Sequence, residues 1–329
     1  MGLQELKATD DDFPIRAIQD AGYGAVWHGQ RSWNGVAILA RNAEPMLTRR
    51  NLPGDPSDVQ ARYIEAAVSG LLIGCLYLPN GNPQPGPKFD YKLAWFDRLI
   101  ADAEQLIRSK LPVALIGDYN VVPRDEDIYP SKSWAKDALV QPQSRAAFWQ
   151  LLGQGWTDAI RARHPEGPFY TFWDYKFGRW ERDAGLRLDH ILLSPDLAGK
   201  FEGAGVDRGV RGAEGASDHA PSWAMVRDVS CGILAGTDAA ARPGSRPLVR
   251  RWWAGRAGRL PGRASQGCFC ARCSPPGSLL TGEALLQRPD AEDRERLFRL
   301  RPAMSATALL PGSPASAHAG TTSSCWPLS

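Results

Sequence analysis

The sequence predicts an α/β protein in which layered β-sheets are covered by helices on the outside. Two observations support this prediction. Short apolar segments bounded by Gly, Asn, Ser and Pro recur along residues 1–228, as expected of buried strands. A longer segment, residues 88–109, has an apolar residue at every third or fourth position, which is typical of an amphipathic helix packed on a sheet. Strands and helices in alternation predict stacked layers.

The predicted elements follow from the positions of the aliphatic residues and the turns between them. Residues 35–41 form an apolar run that begins after Asn34. Residues 64–68 and 71–78 are separated by Ser69-Gly70, which predicts a β-hairpin. The helix at residues 88–109 comes next, with its apolar stripe at Phe89, Leu93, Phe96, Ile100, Ala103 and Ile107. Further strands are predicted at residues 111–117, 187–193 and 221–226.

Composition limits the class of protein. The chain has 329 residues, 43% of them hydrophobic, enough for one large core or two smaller ones. It has no apolar run of about 18 residues, so no membrane-spanning helix is expected. Residues 1–12 lack the apolar stretch of a signal peptide, and the six cysteines do not suggest a disulfide framework. A cytoplasmic, reducing compartment is therefore predicted.

The composition changes near residue 229. Beyond that point the chain contains no Lys, Asn or Tyr, every basic side chain except His is Arg, and Ala, Pro, Gly and Ser dominate. Such a segment has little periodic apolar surface to offset the entropy of ordering it. We therefore predict a folded domain at residues 1–228 and a low-complexity tail at residues 229–329, which is disordered or translated out of frame. The net charge of +3 hides a slightly acidic domain and a basic tail.

Polar side chains interrupt or follow several of the predicted strands. They are Glu5, Tyr77, Asp118, Asn120, Asp189, His190, Asp218 and His219. Single acidic groups at the ends of apolar strands are costly to desolvate, so clustering around a cation is the simplest explanation. Hard oxygen ligands with few Cys or His favour Mg²⁺ or Mn²⁺ over zinc. The pattern indicates metal-assisted attack on a phosphoryl group.

Ordered motifs in the chain resemble those of the exodeoxyribonuclease III and AP endonuclease family, a branch of the deoxyribonuclease I-like endonuclease/exonuclease/phosphatase superfamily. The main motifs are Leu3-Gln4-Glu5, Gly117-Asp118-Tyr119-Asn120, Leu186-Arg187-Leu188-Asp189 and Ser217-Asp218-His219-Ala220-Pro221. Supporting matches are His28-Gly29-Gln30, Tyr77-Leu78-Pro79-Asn80-Gly81 and Phe172-Trp173-Asp174-Tyr175. The resemblance spans residues 1 to about 227.

The resemblance implies a four-layer αββα sandwich, with two packed mixed sheets flanked by helices. It also implies a monomeric Mg²⁺- or Mn²⁺-dependent DNA phosphodiesterase of base-excision repair. Such an enzyme acts as a 3′→5′ exonuclease on double-stranded DNA and as an AP endonuclease, on abasic or 3′-blocked sites. Two alternatives stay open: hydrolysis of another phosphodiester, such as a lipid head group, on the same fold, and a catalytically impaired DNA-binding remnant.

Roles for individual residues also follow from the resemblance. The catalytic residues would be Tyr77, Asp118, Asn120, Asp189 and His219. The metal would be held by Glu5 and Asp218, with Asp118, Asn120 and His219 bordering a second metal position. Substrate contacts would come from Tyr77, Asn120, Trp173 and His219. In contrast, His28, His164 and His190 are interpreted as structural or surface residues.

The chain departs from the family pattern at its start. Family members begin with a strand that carries an Asn near the metal, followed by a helix, and neither precedes Glu5 here. The expectation from the sequence is therefore an N-terminally truncated sandwich in which neighbouring strands lack backbone partners.

Overall fold

The structure, a computed structural model, describes residues 1–227 and 305–311. Its strands are β1 (Gly2–Gln4), β2 (Tyr23–His28), β3 (Val36–Arg41), β4 (Met46–Arg50), β5 (Tyr63–Val68), β6 (Leu71–Tyr77), β7 (Val113–Asp118), β8 (Thr157–Asp158), β9 (Asp189–Leu193), β10 (Phe201–Val206), β11 (Ser222–Val226) and β12 (Ser305–Pro311). Its α-helices are α1 (Ile15–Asp20), α2 (Pro87–Arg108), α3 (Pro142–Gly153), α4 (Ala159–Arg163), α5 (Pro195–Ala198) and α6 (Arg208–Arg211). Three short 3₁₀ turns lie between β7 and α3.

The strands form two six-stranded mixed sheets. The first sheet has the order β10-β11-β12-β1-β3-β2, and the second has the order β4-β5-β6-β7-β9-β8. Aliphatic side chains of both sheets form one buried cluster, which includes Ile38 and Val226 from the first sheet and Ile73, Ile116 and Ile191 from the second. The two sheets therefore pack face to face around a shared core.

Helices cover the outer faces of the two sheets. On the second sheet, buried residues of α2 and α3, such as Trp95, Leu99 and Phe148, pack against Leu115 and Leu192. On the first sheet, Ile18 of α1 and the neighbouring Phe13 pack in a separate buried cluster that includes residues of β1 and β3. This arrangement is the four-layer αββα sandwich, so the predicted fold class is confirmed. No helix in the described ranges is long and apolar enough to cross a membrane.

The packing between the sheets is close at β1. A Cβ atom added to Gly2 would come within 2.9 Å of both Sγ of Cys75 and Cδ1 of Ile116. Glycine is therefore the residue that fits where the short first strand crosses the centre of the second sheet. Because β1 leads directly into Glu5, this contact also fixes where the Glu5 backbone begins.

The expectation of unpaired strands around β1 is corrected by β12. This strand pairs antiparallel with β1 and parallel with β11. The backbone groups of both neighbours need hydrogen-bond partners within the sheet, and the seven residues of β12 supply them. Within the predicted low-complexity tail, residues 305–311 therefore form a strand of the first sheet. The rest of that predicted tail, residues 229–304 and 312–329, lies outside the described residues.

Candidate active site

Three of the predicted site residues lie side by side on neighbouring strands. In the register of the second sheet, Tyr77 at the end of β6 pairs with Asp118 at the end of β7. Asp118 in turn pairs with Asp189 at the start of β9. Side chains at paired positions of adjacent strands project from the same face of a sheet. The fold thus brings a phenol and two carboxylates, distant in sequence, into one row.

The backbone before Asp118 needs a glycine. Gly117 has a φ of 143°, and a Cβ atom there would lie 2.0 Å from the carbonyl oxygen of Leu76. Other residues rarely adopt this conformation, and the neighbouring strand leaves no room for a side chain. The Gly-Asp pair is therefore a local solution that ends β7 and directs the carboxylate of Asp118 out of the strand.

Asp118 and Asn120 form a local hydrogen-bonded unit. The backbone N–H of Asn120 donates to Oδ1 of Asp118 at 2.7 Å, and Nδ2 of Asn120 lies 3.1 Å from Oδ2. Asn120 itself has a φ of 47°, in the left-handed region that Asn tolerates better than most residues. Burial, opposed by His219 and reinforced by Asp189, raises the pKa of Asp118 to about 7. Asp118 is thus a carboxylate with an increased affinity for protons.

His219 and Asp189 form the predicted histidine–carboxylate pair. Nδ1 of His219 donates to Oδ2 of Asp189 at 2.8 Å. The backbone N–H of Asp189 donates to the hydroxyl of Thr171, and Phe172 packs against the imidazole with ring centroids 4.9 Å apart. Burial acts to lower the pKa of His219, but the Asp189 carboxylate outweighs it and raises this pKa to about 10. The pair therefore favours a protonated imidazole.

Glu5 lies next to Tyr77. The Tyr77 hydroxyl donates to Oε1 of Glu5, and Nζ of Lys7 is 3.2 Å from the other carboxylate oxygen. The guanidinium of Arg62 lies 5.0 Å from the centre of the Tyr77 ring. Burial and the charges of Glu5 and Asp118 raise the pKa of Tyr77, so its hydroxyl keeps its proton and acts as a donor. Glu5 thereby joins the row at the strand ends.

Asp218 directly precedes His219 in the chain. Its backbone carbonyl accepts a hydrogen bond from the N–H of Trp173 at 2.8 Å. Its negative charge contributes to raising the pKa of both His219 and Tyr175. The carboxylate of Asp218 is therefore near the imidazole, and the structure shows no contact between it and Glu5 among the described hydrogen bonds and ion pairs.

The structure corrects the predicted substrate contact of Trp173. This side chain has no exposed surface: its Nε1 donates to Asp183 at 2.9 Å, and its ring packs edge-on against Trp180. A buried aromatic ring whose N–H is already hydrogen-bonded stabilises the packing of the protein and is not available to contact substrate. The neighbouring Phe172 is the aromatic residue that contacts the site, through His219.

His190 has the structural role that the sequence suggested. It is fully buried, with Nδ1 3.0 Å from the guanidinium of Arg187 and Nε2 3.2 Å from the carbonyl of Val121. Arg187 also contacts Asp127 and Asp158, both of them buried. His190 therefore belongs to a buried ionic network and not to the row of site residues.

The donor set suits a hard divalent cation. Glu5 and Asp118 interact electrostatically, since the charge of Glu5 helps to raise the pKa of Asp118. In addition, Oδ1 of Asp189 is buried without a hydrogen-bond partner among the described atoms. Within residues 1–227 and 305–311, no three His, Cys, Asp or Glu side chains form a ready-made metal cluster. Mg²⁺ does not require one, because it is commonly held by one or two carboxylates with water and substrate oxygens.

Two residues of the site were missed by the sequence interpretation. Asn80 donates from Nδ2 to Oδ1 of Asn120 at 3.1 Å, and Lys92 contacts the Asn120 carbonyl from below. For Lys92 a signal existed: it lies on the apolar stripe of α2, three residues after Phe89 and three before Trp95. A charged residue on the buried face of an amphipathic helix needs a hydrogen-bond partner, and for Lys92 one such partner is the carbonyl of Asn120 in the site.

Comparison with known proteins supplies the family context. A sequence model of the family described as endonuclease/exonuclease/phosphatase matches residues 1–219. The exodeoxyribonuclease III of Haemophilus influenzae is 33% identical over 240 residues, covering 68% of this chain and 88% of that protein. A 3′ phosphatase from Neisseria, solved with a product DNA hairpin, is 40% identical with a TM-score of 0.64, covering 67% of this chain and 85% of that one. An AP endonuclease from Archaeoglobus fulgidus is 32% identical with a TM-score of 0.62, covering 66% and 84%.

Proposed function

The chain belongs to the endonuclease/exonuclease/phosphatase family and is an enzyme of its nuclease type, and from this premise we propose that it is a divalent-metal-dependent DNA-repair nuclease. Its substrates would be double-stranded DNA with abasic or 3′-blocked sites, cleaved as an AP endonuclease and as a 3′→5′ exonuclease. The observation that carries the proposal is the row Tyr77–Asp118–Asp189, completed by His219. The names of the relatives, which include an exodeoxyribonuclease III and an AP endonuclease, support DNA as the substrate.

Asp118 and the His219–Asp189 pair have different chemical roles in this proposal. Asp118 is the general base that receives a proton from the attacking water, because a pKa of about 7 is suited to proton transfer at neutral pH. His219 is the cationic donor to a phosphate oxygen, since Asp189 keeps the imidazole protonated and oriented. Asp118 titrates near neutral pH while His219 stays protonated, and this difference separates the base from the cationic donor.

Asn120 and Tyr77 complete the contacts to the phosphate. The Asn120 amide is fixed by Leu78, Asn80 and Asp118, so it enters the site in one orientation. The Tyr77 hydroxyl, which now donates to Glu5, is within the same row and donates to a phosphate oxygen when substrate is bound. In-line displacement at phosphorus needs mainly such positioning and charge stabilisation.

Glu5 is the main residue that would hold the cation, with Asp218 and the oxygen atoms of Asp118 and Asn120 nearby. Mg²⁺ or Mn²⁺ bound there would supply positive charge for the developing phosphorane and the leaving oxygen. We assign His219 to the phosphate and not to the metal. The reason is that Nδ1 is committed to Asp189, which orients the imidazole as a donor to the substrate.

The test is cleavage of a labelled duplex that contains one tetrahydrofuran abasic-site analogue. With Mg²⁺ we expect a nick 5′ to the analogue, and with EDTA none. A second duplex with a 3′-phosphate end measures release of inorganic phosphate, and a third with a recessed 3′-hydroxyl measures exonuclease digestion. Binding without nicking on every duplex would instead identify a DNA-binding remnant. If the enzyme releases a lipid head group but cleaves none of the DNA duplexes, its substrate is another phosphodiester.

We also propose that the enzyme acts as a monomer in the cytoplasm. Cys75 is a free thiol buried between the sheets, which is consistent with a reducing compartment. Sedimentation of the purified chain with and without DNA measures the oligomeric state, and fractionation of cells with an antibody measures the location. A stable dimer or a secreted product would contradict this part of the proposal.

A further inference from the structure

Lys92 is a fully buried lysine on the inner face of α2. Its Nζ lies 3.2 Å from the carbonyl oxygen of Pro79, 3.1 Å from that of Asn80 and 2.5 Å from that of Asn120. An ammonium group has three N–H donors and no acceptor, so three carbonyl oxygens match its bonding capacity. A fully buried amino group with this complete set of partners is a built feature, because burying such a polar group without hydrogen-bond partners is strongly unfavourable.

The three carbonyls belong to the two segments that carry the site. Pro79 and Asn80 follow β6, which ends at Tyr77, and Asn120 follows β7, which ends at Asp118. The ammonium therefore ties together the loops at the ends of two neighbouring strands. Hydrogen bonds within the loops extend this link, since Nδ2 of Asn80 donates to Oδ1 of Asn120.

The Lys92 contact falls on a strained point of the backbone. Asn120 has a φ of 47°, a conformation that a non-glycine residue keeps only when its surroundings enforce it. The same residue gives both its N–H and its Nδ2 to Asp118. Any rotation that lets Asn120 leave the left-handed region would move both donors away from the Asp118 carboxylate.

The lysine stem has a matching groove. Gly81 has a φ of 89°, and a Cβ atom there would lie 2.6 Å from Cδ of Lys92. Behind it, Asn82 donates to Oδ1 of Asp137 at 2.8 Å, which holds the next loop in place. Burial lowers the pKa of Lys92 to about 7, and the negative charges of Asp118 and Asp137 oppose this shift. The absence of a side chain at Gly81 thus leaves room for the lysine stem, and the three carbonyl oxygens bind its amino group.

From this geometry we propose, on the basis of the nuclease function proposed above, that Lys92 is a positioning residue for Asn120 and, through it, for Asp118. Lys92 touches neither the DNA nor the cation. Its contribution is to hold the Asn120 amide and the Asp118 carboxylate in the orientation in which they meet the attacking water and the phosphate. Loss of the ammonium then lowers turnover while the surface that binds DNA stays the same.

The first test compares Lys92→Met with Lys88→Met, an exposed lysine on the same helix. We expect Lys92→Met to lower kcat on abasic-site DNA by about 10- to 100-fold, with KM changed by less than about twofold, because small misplacements of catalytic groups reduce turnover strongly. Lys88→Met should leave both constants unchanged. Equal kcat in the wild type and Lys92→Met overturns the proposal, as does a change confined to KM.

A double-mutant cycle separates positioning through Asn120 from a general structural effect. In an Asn120→Ala background, Lys92→Met should cost less than about twofold in kcat, since residues that share one interaction are non-additive. In a Tyr77→Phe background, Lys92→Met should lower kcat by the same factor as in the wild type. Equal losses in both backgrounds would show that Lys92 does not act through Asn120.

Hydrogen exchange provides a readout that does not depend on activity. The Asn120 amide, which donates to Asp118, should exchange at least about tenfold faster in Lys92→Met than in the wild type, while amides in the middle of β7 keep their rates. If Lys92→Met fails to fold, Lys92→Gln, which keeps two donors, is measured in the same way. An inactive wild type would refute the proposed function, and unchanged exchange at Asn120 would refute the role of Lys92.

Discussion

The Nδ1 atom of His219 and the Oδ2 atom of Asp189 are 2.8 Å apart, although the two residues belong to different halves of the sandwich. Asp189 begins β9 of the second sheet, and His219 lies in the loop before β11 of the first sheet. This contact fixes which nitrogen of the imidazole is bonded to the protein. It leaves Nε2 as the nitrogen that can face a phosphate, and it keeps the ring protonated near neutral pH.

Replacement of Asp189 by Asn is expected to separate charge from geometry at this pair. The amide oxygen can still accept the Nδ1–H, but the charge that raises the pKa of His219 is lost. The pKa of His219 should therefore fall from about 10 towards its ordinary value, and kcat at pH 7.5 should fall by about 10²-fold. NMR titration of the imidazole and initial rates on abasic-site DNA measure the two effects.

The matched control for Asp189→Asn is Asp97→Asn, an exposed aspartate on α2. It should change neither the titration of His219 nor the rate. A His219 titration that is the same in Asp189→Asn and in the wild type would contradict the role assigned to the carboxylate.

Asp118→Asn is expected to remove turnover without removing DNA binding. An amide cannot accept the proton of the attacking water, so kcat should fall by at least about 10²-fold. One of the two donors of Asn120 can still be accepted by the new Oδ1 atom, which preserves the loop. Fluorescence anisotropy with a labelled abasic-site duplex should give a Kd within about threefold of the wild type, as phosphate contacts elsewhere dominate affinity.

The sequence predicted the parts of this site that depend on local chain structure. Asp118 and Asn120 follow an apolar strand directly, and Gly117 before them is the residue that the left-handed turn requires. The hairpin of β5 and β6 was predicted from Ser69-Gly70, and the structure places Ser69 at a φ of 47° and Gly70 at 83°. Features of this kind are fixed within a few residues, so one sequence suffices to predict them.

Features that depend on tertiary packing were predicted less well. The substrate contact of Trp173 was predicted from the resemblance to the family, but only its packing against Trp180 and its hydrogen bond to Asp183 show that it is buried. The pairing of β12 with β1 joins segments about 300 residues apart, and no local pattern specifies such a partner. Lys92 lies between these cases, since its place on an apolar stripe is visible in the sequence but its three carbonyl partners are not.

Glu5→Gln is expected to raise the concentration of Mg²⁺ at which the enzyme is half-maximally active. The amide keeps one oxygen for the cation but has no negative charge, so we expect a shift of about tenfold or more, which corresponds to about 1.4 kcal/mol. At saturating Mg²⁺, part of the activity should return. Rates measured from about 10 µM to 50 mM Mg²⁺ at constant ionic strength, which limits screening effects, test this prediction.

Glu166→Gln is the control for Glu5, because Glu166 is an exposed glutamate outside the row of site residues. Its Mg²⁺ dependence should match that of the wild type. If Glu5→Gln has the same half-maximal Mg²⁺ concentration as the wild type, Glu5 is not a ligand of the cation.

Arg187 provides a prediction for stability that is independent of catalysis. Its guanidinium contacts Asp127 at 2.8 Å and Asp158 at 2.7 Å, and the three side chains are buried. Arg187→Met leaves two buried carboxylates without their main counter-charge, so we expect a loss of about 3–5 kcal/mol in the free energy of unfolding. Urea titrations at pH 7 should show a lower midpoint with an unchanged slope. Arg108→Met breaks an exposed ion pair with Glu104 on α2 and should cost less than about 1 kcal/mol.

The same network predicts how stability depends on pH. Burial acts to raise the pKa of Asp158, but Arg187 outweighs it, and the folded-state pKa lies below its ordinary value. A carboxylate with a depressed folded pKa contributes stability that is fully present above its unfolded pKa of about 3.9 and is lost as the pH falls further. The stability difference between the wild type and Arg187→Met should therefore be constant from about pH 6 to pH 8 and shrink below about pH 5. A difference that grows on acidification would show that Asp158 is not held ionised by Arg187.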